Sequence, residues 1–189
     1  MCMFRDLRAD EIECRVAQAK QNGVSLLLYK DARADMNILD ETVGEFGWMR
    51  QHTRDNANCV VSIWDEKKQN WIFKEDTGTE SNTEKEKGLA SDSFKRACVN
   101  WGIGRELYTS PFIWVSDADC KIELKGQDKY GKPIYGTKDK FDVQKIVIEN
   151  KRIVALAVKN TRTNKTVFIW QDPVWEKKQK EKKATDGNV

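Results

Sequence analysis

An adjacent lysine and arginine, Lys95 and Arg96, are the residues of this chain whose chemistry and placement first indicate a function. They lie in a segment with a helical pattern of apolar residues, and at about 100° per residue they point to opposite flanks of its apolar stripe. Two cations held on a rigid helix can bind nucleic-acid phosphates by displacing counterions. Such a pair is also typical of a solvated helix face, and both interpretations stay open on periodicity alone.

Other cations and the aromatic residues also have two interpretations, a role in nucleic-acid binding or an ordinary structural role. Arg33 lies off the apolar stripe of an earlier helical segment and precedes Asp35, so by itself it indicates only a surface ion pair. The chain has seven tryptophans, and aromatic faces can stack on nucleobases. Four of them have apolar neighbours, which favours packing in a core: Trp48, Trp64, Trp71 and Trp101.

An enzymatic alternative comes from Asp119, Glu123 and Lys125, whose D-x3-E-x-K spacing is that of metal-dependent nucleases. In such enzymes the carboxylates chelate Mg²⁺ and the lysine assists the attacking water. On a strand the three side chains would share one face, and an exposed sheet surface explains that pattern equally well. A nuclease therefore remains the alternative hypothesis, tested by cleavage that depends on Mg²⁺ and on Glu123.

Other kinds of chemistry lack the residues they need. His52 is the only histidine, so a catalytic triad would depend on it alone, and we expect an ordinary strand residue there. The five cysteines are scattered, which predicts reduced thiols and no zinc site. Residues 126–133 have the spacing of a phosphate-binding loop, but Pro133 replaces the hydroxyl residue that would hold Mg²⁺, so a hairpin turn is predicted. We expect no metal and no cofactor.

Length and charge place limits on the architecture. The 189 residues, 39% of them hydrophobic, suit one domain, predicted over residues 1–175 and followed by a basic, disordered tail over residues 176–189. The net charge of +3 makes only a weak case for a polyanionic partner, so the placement of charge has to decide. The charged N-terminus and the short apolar runs predict a soluble, intracellular protein with no membrane contact.

Apolar periodicity and capping residues predict three helices. The first is a short helix between Asp10 and Gly23, followed by an extended run over residues 24–29. The second spans residues 31–43 and ends at Gly44. The third begins at Ser81 or Thr83, either of which fits a capping box, and runs to residue 101.

The strands are predicted from β-branched and aromatic runs separated by turn residues. Residues 48–53, 59–64 and 71–74 are predicted to form an antiparallel meander between the second and third helices. C-terminal hairpins are predicted over residues 122–124, 141–148, 153–158 and 167–170. The predicted fold class is α+β.

Two segments together resemble the Rad-fifty-two type of single-strand annealing proteins, including its small phage and bacterial relatives. They are YKDARADMNILDETVGEFGW, residues 29–48, and DTGTESNTEKEKGLASDSFKRACVNWGIGREL, residues 76–107. The most specific element is the D-x-x-K-R-A-x-x-x-[FW]-G ending of the long helix, carried here by Asp92, Lys95, Arg96, Ala97, Trp101 and Gly102. The resemblance covers residues 25–115, and the chain past Val115 matches only loosely.

The resemblance implies an antiparallel β-β-β-α core with the long helix packed on the sheet, in subunits that form an oligomeric ring or helical assembly. It implies that Arg33, Lys95 and Arg96 contact the backbone of single-stranded DNA, and that Lys67 and Lys68 lie at an outer DNA site. The implied function is ATP-independent strand annealing in homologous recombination and double-strand break repair. It places the protein in the cytoplasm of a bacterium or of a phage-infected host, where a recombination or single-strand-binding protein is a candidate partner. A third hypothesis is a scaffold whose basic surface is incidental.

Overall fold

The computed structural model describes residues 4–79 and 85–186, without the side chains of residues 85–87 and 183–186. The chain divides into two compact units: Met1–Leu7 with Lys30–Arg105, called the first unit, and Arg8–Tyr29 with Glu106–Val189, called the second unit. The residues predicted to form one domain therefore contribute to two units. Three α-helices and mostly antiparallel sheets in the described residues confirm the mixed α+β class. None of the helices described is both long enough and apolar enough to cross a membrane.

Helix α1, Ala32–Val43, lies in the first unit where the sequence predicted a helix. It begins at Asp31, whose carboxylate accepts the backbone N–H of Arg33 at 2.9 Å. It ends at Gly44, which has a φ of 79° and donates its N–H to the carbonyl oxygen of Asp40 at 3.0 Å.

An antiparallel meander and a long helix complete the first unit. Strands β3 (Trp48–Thr53), β4 (Asn58–Asp65) and β5 (Asn70–Thr77) pair in the order β3-β4-β5, which confirms the predicted meander. Helix α2, Lys85–Trp101, follows and ends at Gly102, whose φ is 97°. The predicted capping residues, Ser81 and Thr83, lie outside the described residues.

The register divides the side chains of this meander between two faces, because residues directly opposite on paired strands point the same way. One face, called the helix face, contains the buried Cys59, Val61 and Ile63, and several of its side chains contact α2. The other, called the open face, contains Met49, Gln51, Thr53, Asn58, Val60, Ser62, Trp64, Trp71, Phe73, Glu75 and Thr77.

The second unit contains a six-stranded sheet whose strands are β1 (Ile12–Lys20), β2 (Gly23–Lys30), β6 (Ile113–Ser116), β9 (Phe141–Glu149), β10 (Arg152–Asn160) and β11 (Lys165–Gln171). They pair in the order β11-β10-β9-β1-β2-β6. Strands β7 (Glu123–Gln127) and β8 (Pro133–Gly136) form a separate hairpin, which confirms the predicted turn within residues 126–133. The predicted C-terminal hairpins are confirmed, whereas β6 and β8 were not predicted.

The helix predicted between Asp10 and Gly23 is wrong, because β1 and β2 form a hairpin there. The spacing of the apolar residues fits a helix, but pairing of β1 with β9, for example Glu13 opposite Asp142, satisfies the backbone in an extended form. A signal for a strand pair was present in the sequence, since Asn22–Gly23 is a dipeptide typical of hairpins, and the turn itself is formed by Gln21 and Asn22.

Helix α3, Pro173–Asp186, occupies most of the segment expected to form a disordered tail. The carboxylate of Asp172 caps it by accepting the backbone N–H groups of Val174 at 3.0 Å and Trp175 at 3.1 Å. Proline at the first helical position favours the same start. The indole of Trp175 then donates to Glu149 at 2.7 Å and attaches the helix to the end of β9.

Candidate nucleic-acid interface

Lys95 and Arg96 lie on opposite flanks of α2, as the periodicity predicts. The ammonium group of Lys95 is on the α1 side, where it interacts electrostatically with the carboxylate of Asp35. The guanidinium of Arg96 is on the β5 side, with Nε 3.8 Å from Oδ1 of Asp76 and 42% of the side chain exposed. Arg96 Nε is buried and makes no hydrogen bond within the described part of the chain, where the Asp76 carboxylate is its ion-pair partner.

Arg33 lies in the first turn of α1 and its side chain is 81% exposed. Its Nη1 is 3.2 Å from Oδ2 of Asp31, a surface ion pair that contributes little to stability. Asp35, two residues later on α1, interacts electrostatically with Lys95. The structure therefore brings Lys95 close to the helix that carries Arg33, whereas Arg96 faces the sheet on the other flank of α2.

Lys67 and Lys68 lie in the turn that joins β4 to β5. Both backbone N–H groups donate to Oδ1 of Asp65, at 3.0 and 3.1 Å, so this carboxylate fixes the turn. The ammonium of Lys68 is 3.9 Å from Asp65 with its side chain 68% exposed. These two lysines therefore form a cationic turn that belongs to the meander rather than to helix α1 or α2.

A buried ion pair supports the end of the interface where α1 meets α2. Lys30 Nζ donates to Oδ1 of Asp35 and also to the carbonyl oxygen of Ile103, the latter at 2.9 Å. The two charged side chains are only 5% and 0% exposed. Burial raises the pKa of Asp35 to about 6, against the opposing influence of the Lys30 and Lys95 charges. Sequence reasoning missed this pair because Lys30 ends a strand and resembles a surface residue.

Two further cations contact aromatic rings on the helix face. The guanidinium of Arg50, on β3, lies 4.8 Å from the ring centre of Phe94. The ammonium of Lys74, on β5, lies 4.6 Å from the ring of Trp101 and donates to the carbonyl oxygen of Asn100 at 2.8 Å. Such cation–π contacts stabilise the packing of α2 against the strands. Alternation along β3 and β5 was the signal that could have identified these two residues.

The tryptophans divide between the two faces of the meander. Trp48 stacks on Phe94 at 6.0 Å, and the indole N–H of Trp101 donates to the carbonyl oxygen of Val61 at 3.1 Å, so core packing is confirmed for these two. Trp64 and Trp71 lie instead on the open face, where Trp64 is 36% exposed. Core packing is wrong for Trp64.

The nuclease hypothesis predicted one strand face for three residues, which the structure only partly provides. Asp119 lies in a turn, whereas Glu123 and Lys125 lie on β7 and are joined by a hydrogen bond of 2.8 Å. That hydrogen bond lowers the pKa of Glu123. Lys121 and Lys138 also approach the same carboxylate, at 3.7 and 4.0 Å. In the described part of the chain no group of three or more histidine, cysteine, aspartate or glutamate side chains is arranged to hold a metal ion.

The single histidine and the described cysteines have ordinary structural environments. His52 is a residue of β3, as predicted, with Nδ1 3.4 Å from the hydroxyl of Ser93. Burial and the charge of Arg50 lower the pKa of His52. The cysteines at positions 14, 59, 98 and 120 are free thiols, and burial raises the pKa of each. Neutral, buried thiols are poor nucleophiles.

No family model matches the chain, and neither a curated protein nor a solved structure does. The assignment of an interface therefore depends on the residues themselves. The candidate interface consists of Lys95 beside α1, Arg96 paired with Asp76 on the β5 side, the exposed Arg33, and the separate turn that carries Lys67 and Lys68.

Proposed function

We propose that this chain binds single-stranded DNA and anneals complementary strands as an oligomer, without a nucleotide cofactor. The observation that carries the proposal is the placement of Lys95 and Arg96 on a helix that directly follows an antiparallel three-stranded meander. The order β-β-β-α and the motif around Asp92 agree with the resemblance to single-strand annealing proteins. In that arrangement the long helix packs on the sheet and presents its flanking cations to a strand of DNA.

The internal contacts of α2 favour this assignment because residues other than the motif cations fix the helix to its neighbours. Asp92 accepts the backbone N–H of Thr79 at 2.9 Å, which fixes the segment before the helix. Asn100 donates to the carbonyl oxygen of Glu75 at 2.9 Å and attaches the other end of the helix to β5. Polar side chains from the middle and from the C-terminal end of α2 therefore hold it to neighbouring segments, and Lys95 and Arg96 are not needed for that purpose.

The mechanism follows from the chemistry of a phosphate chain. Cations on a rigid helix displace counterions from the DNA backbone and hold it, while the bases remain unpaired. When a second strand is complementary, base pairing supplies the favourable free energy, so hydrolysis of a nucleotide is not required. The protein contributes by keeping each strand unfolded and by raising the local concentration of the two complementary strands.

Assembly is part of the proposal because one subunit offers few phosphate contacts. Several subunits on one strand convert successive contacts into intramolecular events and raise the overall affinity. We therefore propose a ring or a helical assembly. Mass measurement with and without a single strand tests this, because a monomer of constant mass that ignores DNA contradicts the proposal.

The decisive experiment compares two adjacent lysine–arginine pairs. Lys95→Ala/Arg96→Ala removes the motif cations, and Lys151→Ala/Arg152→Ala removes the same charges from the second unit, where the Arg152 side chain is 66% exposed. We expect only the first variant to lose affinity for labelled oligothymidine. For this variant, the slope of log K for DNA binding against the logarithm of the salt concentration should become less negative by roughly 0.7 for each phosphate that is no longer neutralised.

Annealing of complementary oligonucleotides should persist in EDTA and without nucleotide, and it should fail in the Lys95→Ala/Arg96→Ala variant. Equal losses in both double variants would indicate non-specific attraction by net charge and would contradict the proposed site. Cleavage of the strands that depends on Mg²⁺ and disappears in Glu123→Ala would support a nuclease instead.

A further inference from the structure

The open face of the meander has an apolar half and a polar half. At one end of the strands lie Trp64 opposite Trp71, and in the next row Met49, Ser62 and Phe73. Phe73 is 67% exposed and Met49 is 45% exposed. The remaining rows, toward the β3–β4 turn, contain mainly polar side chains. We call Met49, Trp64, Trp71 and Phe73 the aromatic patch.

Internal contacts hold the tryptophans of this patch in a fixed geometry. The rings of Trp64 and Trp71 meet edge to face with centroids 5.6 Å apart. The indole N–H of Trp64 donates to Glu66 at 2.7 Å. Because the helix face already supplies the core of the unit, stability does not require an exposed Phe73 beside them. An exposed group of this kind indicates a binding surface.

The charges beside the patch favour a polyanion as its occupant. The β4–β5 turn directly continues from Trp64 and Trp71 and carries Lys67 and Lys68. The two carboxylates of the turn keep their charge but are turned to internal donors, since Asp65 accepts backbone N–H groups and Glu66 accepts the Trp64 indole, while the Lys68 side chain is 68% exposed. A ligand that combines flat apolar faces with phosphates matches aromatic rings next to ammonium groups.

The size of the patch argues against a second copy of this chain as the occupant. With aromatic side chains of about 150–250 Å² each, the exposed fractions correspond to roughly 350 Å² of exposed surface. A stable protein–protein interface buries about 800 Å² on each partner. Two or three nucleobases, in contrast, are covered well by a patch of this size.

We propose that the aromatic patch is a base-stacking surface for single-stranded nucleic acid, with Phe73 as its most exposed contact. The inference rests on the proposed function and adds to it a surface that binds bases rather than the backbone. Bases stacked there are held apart from one another, which keeps the strand extended. Lys95 and Arg96, in this arrangement, supply sequence-independent backbone contacts elsewhere in the same unit.

The test compares normal and abasic strands. Labelled oligothymidine and an abasic deoxyribose-phosphate strand of equal length are bound to the full chain, to Phe73→Ala and to the control Phe112→Ala, an aromatic residue that is 75% exposed in the second unit. We expect Phe73→Ala to weaken oligothymidine binding roughly 5- to 150-fold per stacked base and to leave abasic binding and the salt slope unchanged. Phe73→Trp should restore affinity, and Phe112→Ala should behave as the original chain.

Several outcomes would overturn the inference. Unchanged oligothymidine affinity in Phe73→Ala contradicts it while leaving the proposed function intact, provided that Lys95→Ala/Arg96→Ala still loses binding. Equal losses on normal and abasic strands contradict base stacking. A change in assembly mass without a change in affinity assigns the patch to a second copy. If the original chain binds no single strand, the proposed function itself fails.

Discussion

Replacing Lys30 by methionine is the perturbation with the largest effect that the structure predicts on the first unit. Methionine retains the length of the lysine stem but removes the ammonium group that binds Asp35 and the carbonyl oxygen of Ile103. Asp35 is completely buried, and apart from Lys30 its side chain has, among the described residues, only the weak thiol donor of Cys98. In the variant this carboxylate must either stay charged without its partner or take up a proton.

The magnitude follows from the cost of an unpaired buried charge. Removing one partner of a buried pair costs about 3–5 kcal/mol, whereas breaking an exposed pair costs about 1 kcal/mol or less. Lys30→Met should therefore lower the free energy of unfolding by about 3–5 kcal/mol at pH 8. The control Arg33→Met breaks the exposed pair with Asp31 on the same helix and should cost at most about 1 kcal/mol.

The raised pKa of Asp35 predicts how the stability loss in Lys30→Met changes with pH. The folded pKa of Asp35, about 6, exceeds its ordinary value of 3.8, so the native state holds this proton more tightly than the unfolded state. Stability from this group therefore falls as pH rises from about 4 to about 6. Without Lys30 the folded pKa rises further and the window extends upward. The difference between the two proteins should consequently be larger at pH 8 than at pH 5.

Urea unfolding followed by circular dichroism at both pH values measures these quantities. The double variant Lys30→Met/Asp35→Leu removes both charges and should recover most of the lost stability, because an apolar pair needs no desolvation of ions. A loss below about 1 kcal/mol in Lys30→Met would refute the reasoning. So would a double variant as unstable as the single one, because the unpaired carboxylate would then not be the cause.

Three further substitutions test other parts of the fold. Gly104→Ala should destabilise the first unit by about 1–3 kcal/mol in urea unfolding, because φ is +70° and the added Cβ would lie 2.8 Å from the Lys30 side chain. Asp139 accepts a hydrogen bond from Arg162 Nη2 at 3.0 Å, which holds the pKa of Asp139 well below its usual range. The stability contributed by this carboxylate is therefore present above about pH 4 and is lost as the pH falls further. Asp139→Asn should abolish that acid dependence in thermal unfolding of the second unit. Asp172→Ala removes the cap of α3 and should cost about 1 kcal/mol of helix stability, seen as faster amide exchange across residues 174–178, and unchanged exchange would contradict the cap.

Local signals were sufficient for the elements that position the proposed interface. The extent of α1 followed from the apolar stripe and Gly44, both of which act within a few residues. The meander followed from alternating runs and polar turns. The opposite flanks of Lys95 and Arg96 followed from helix geometry, because the angle between neighbouring residues does not depend on distant contacts.

Long-range pairing decided what local signals could not. The segment containing Ile12 and Val16 has helical spacing, yet β9 and β2 lie beside it in the sheet and make it a strand. The start of helix α3 has local signals in Asp172 and Pro173, but its attachment to the sheet depends on Glu149, which lies 26 residues from Trp175. The helix or strand propensity of a short segment does not predict such contacts, because they stabilise the segment only when distant parts of the chain pack together.

The sequence by itself determined the α+β class, the meander with its following helix, and the identities of the cations on that helix. Only the tertiary structure decided that Lys30 and Asp35 form a buried pair, and that Trp64 and Phe73 share an uncovered sheet face. The physical reason is that burial and facing depend on which element covers which side of a strand. When a strand has apolar residues on both faces, either face could be buried, and the element that packs against the sheet decides which one is.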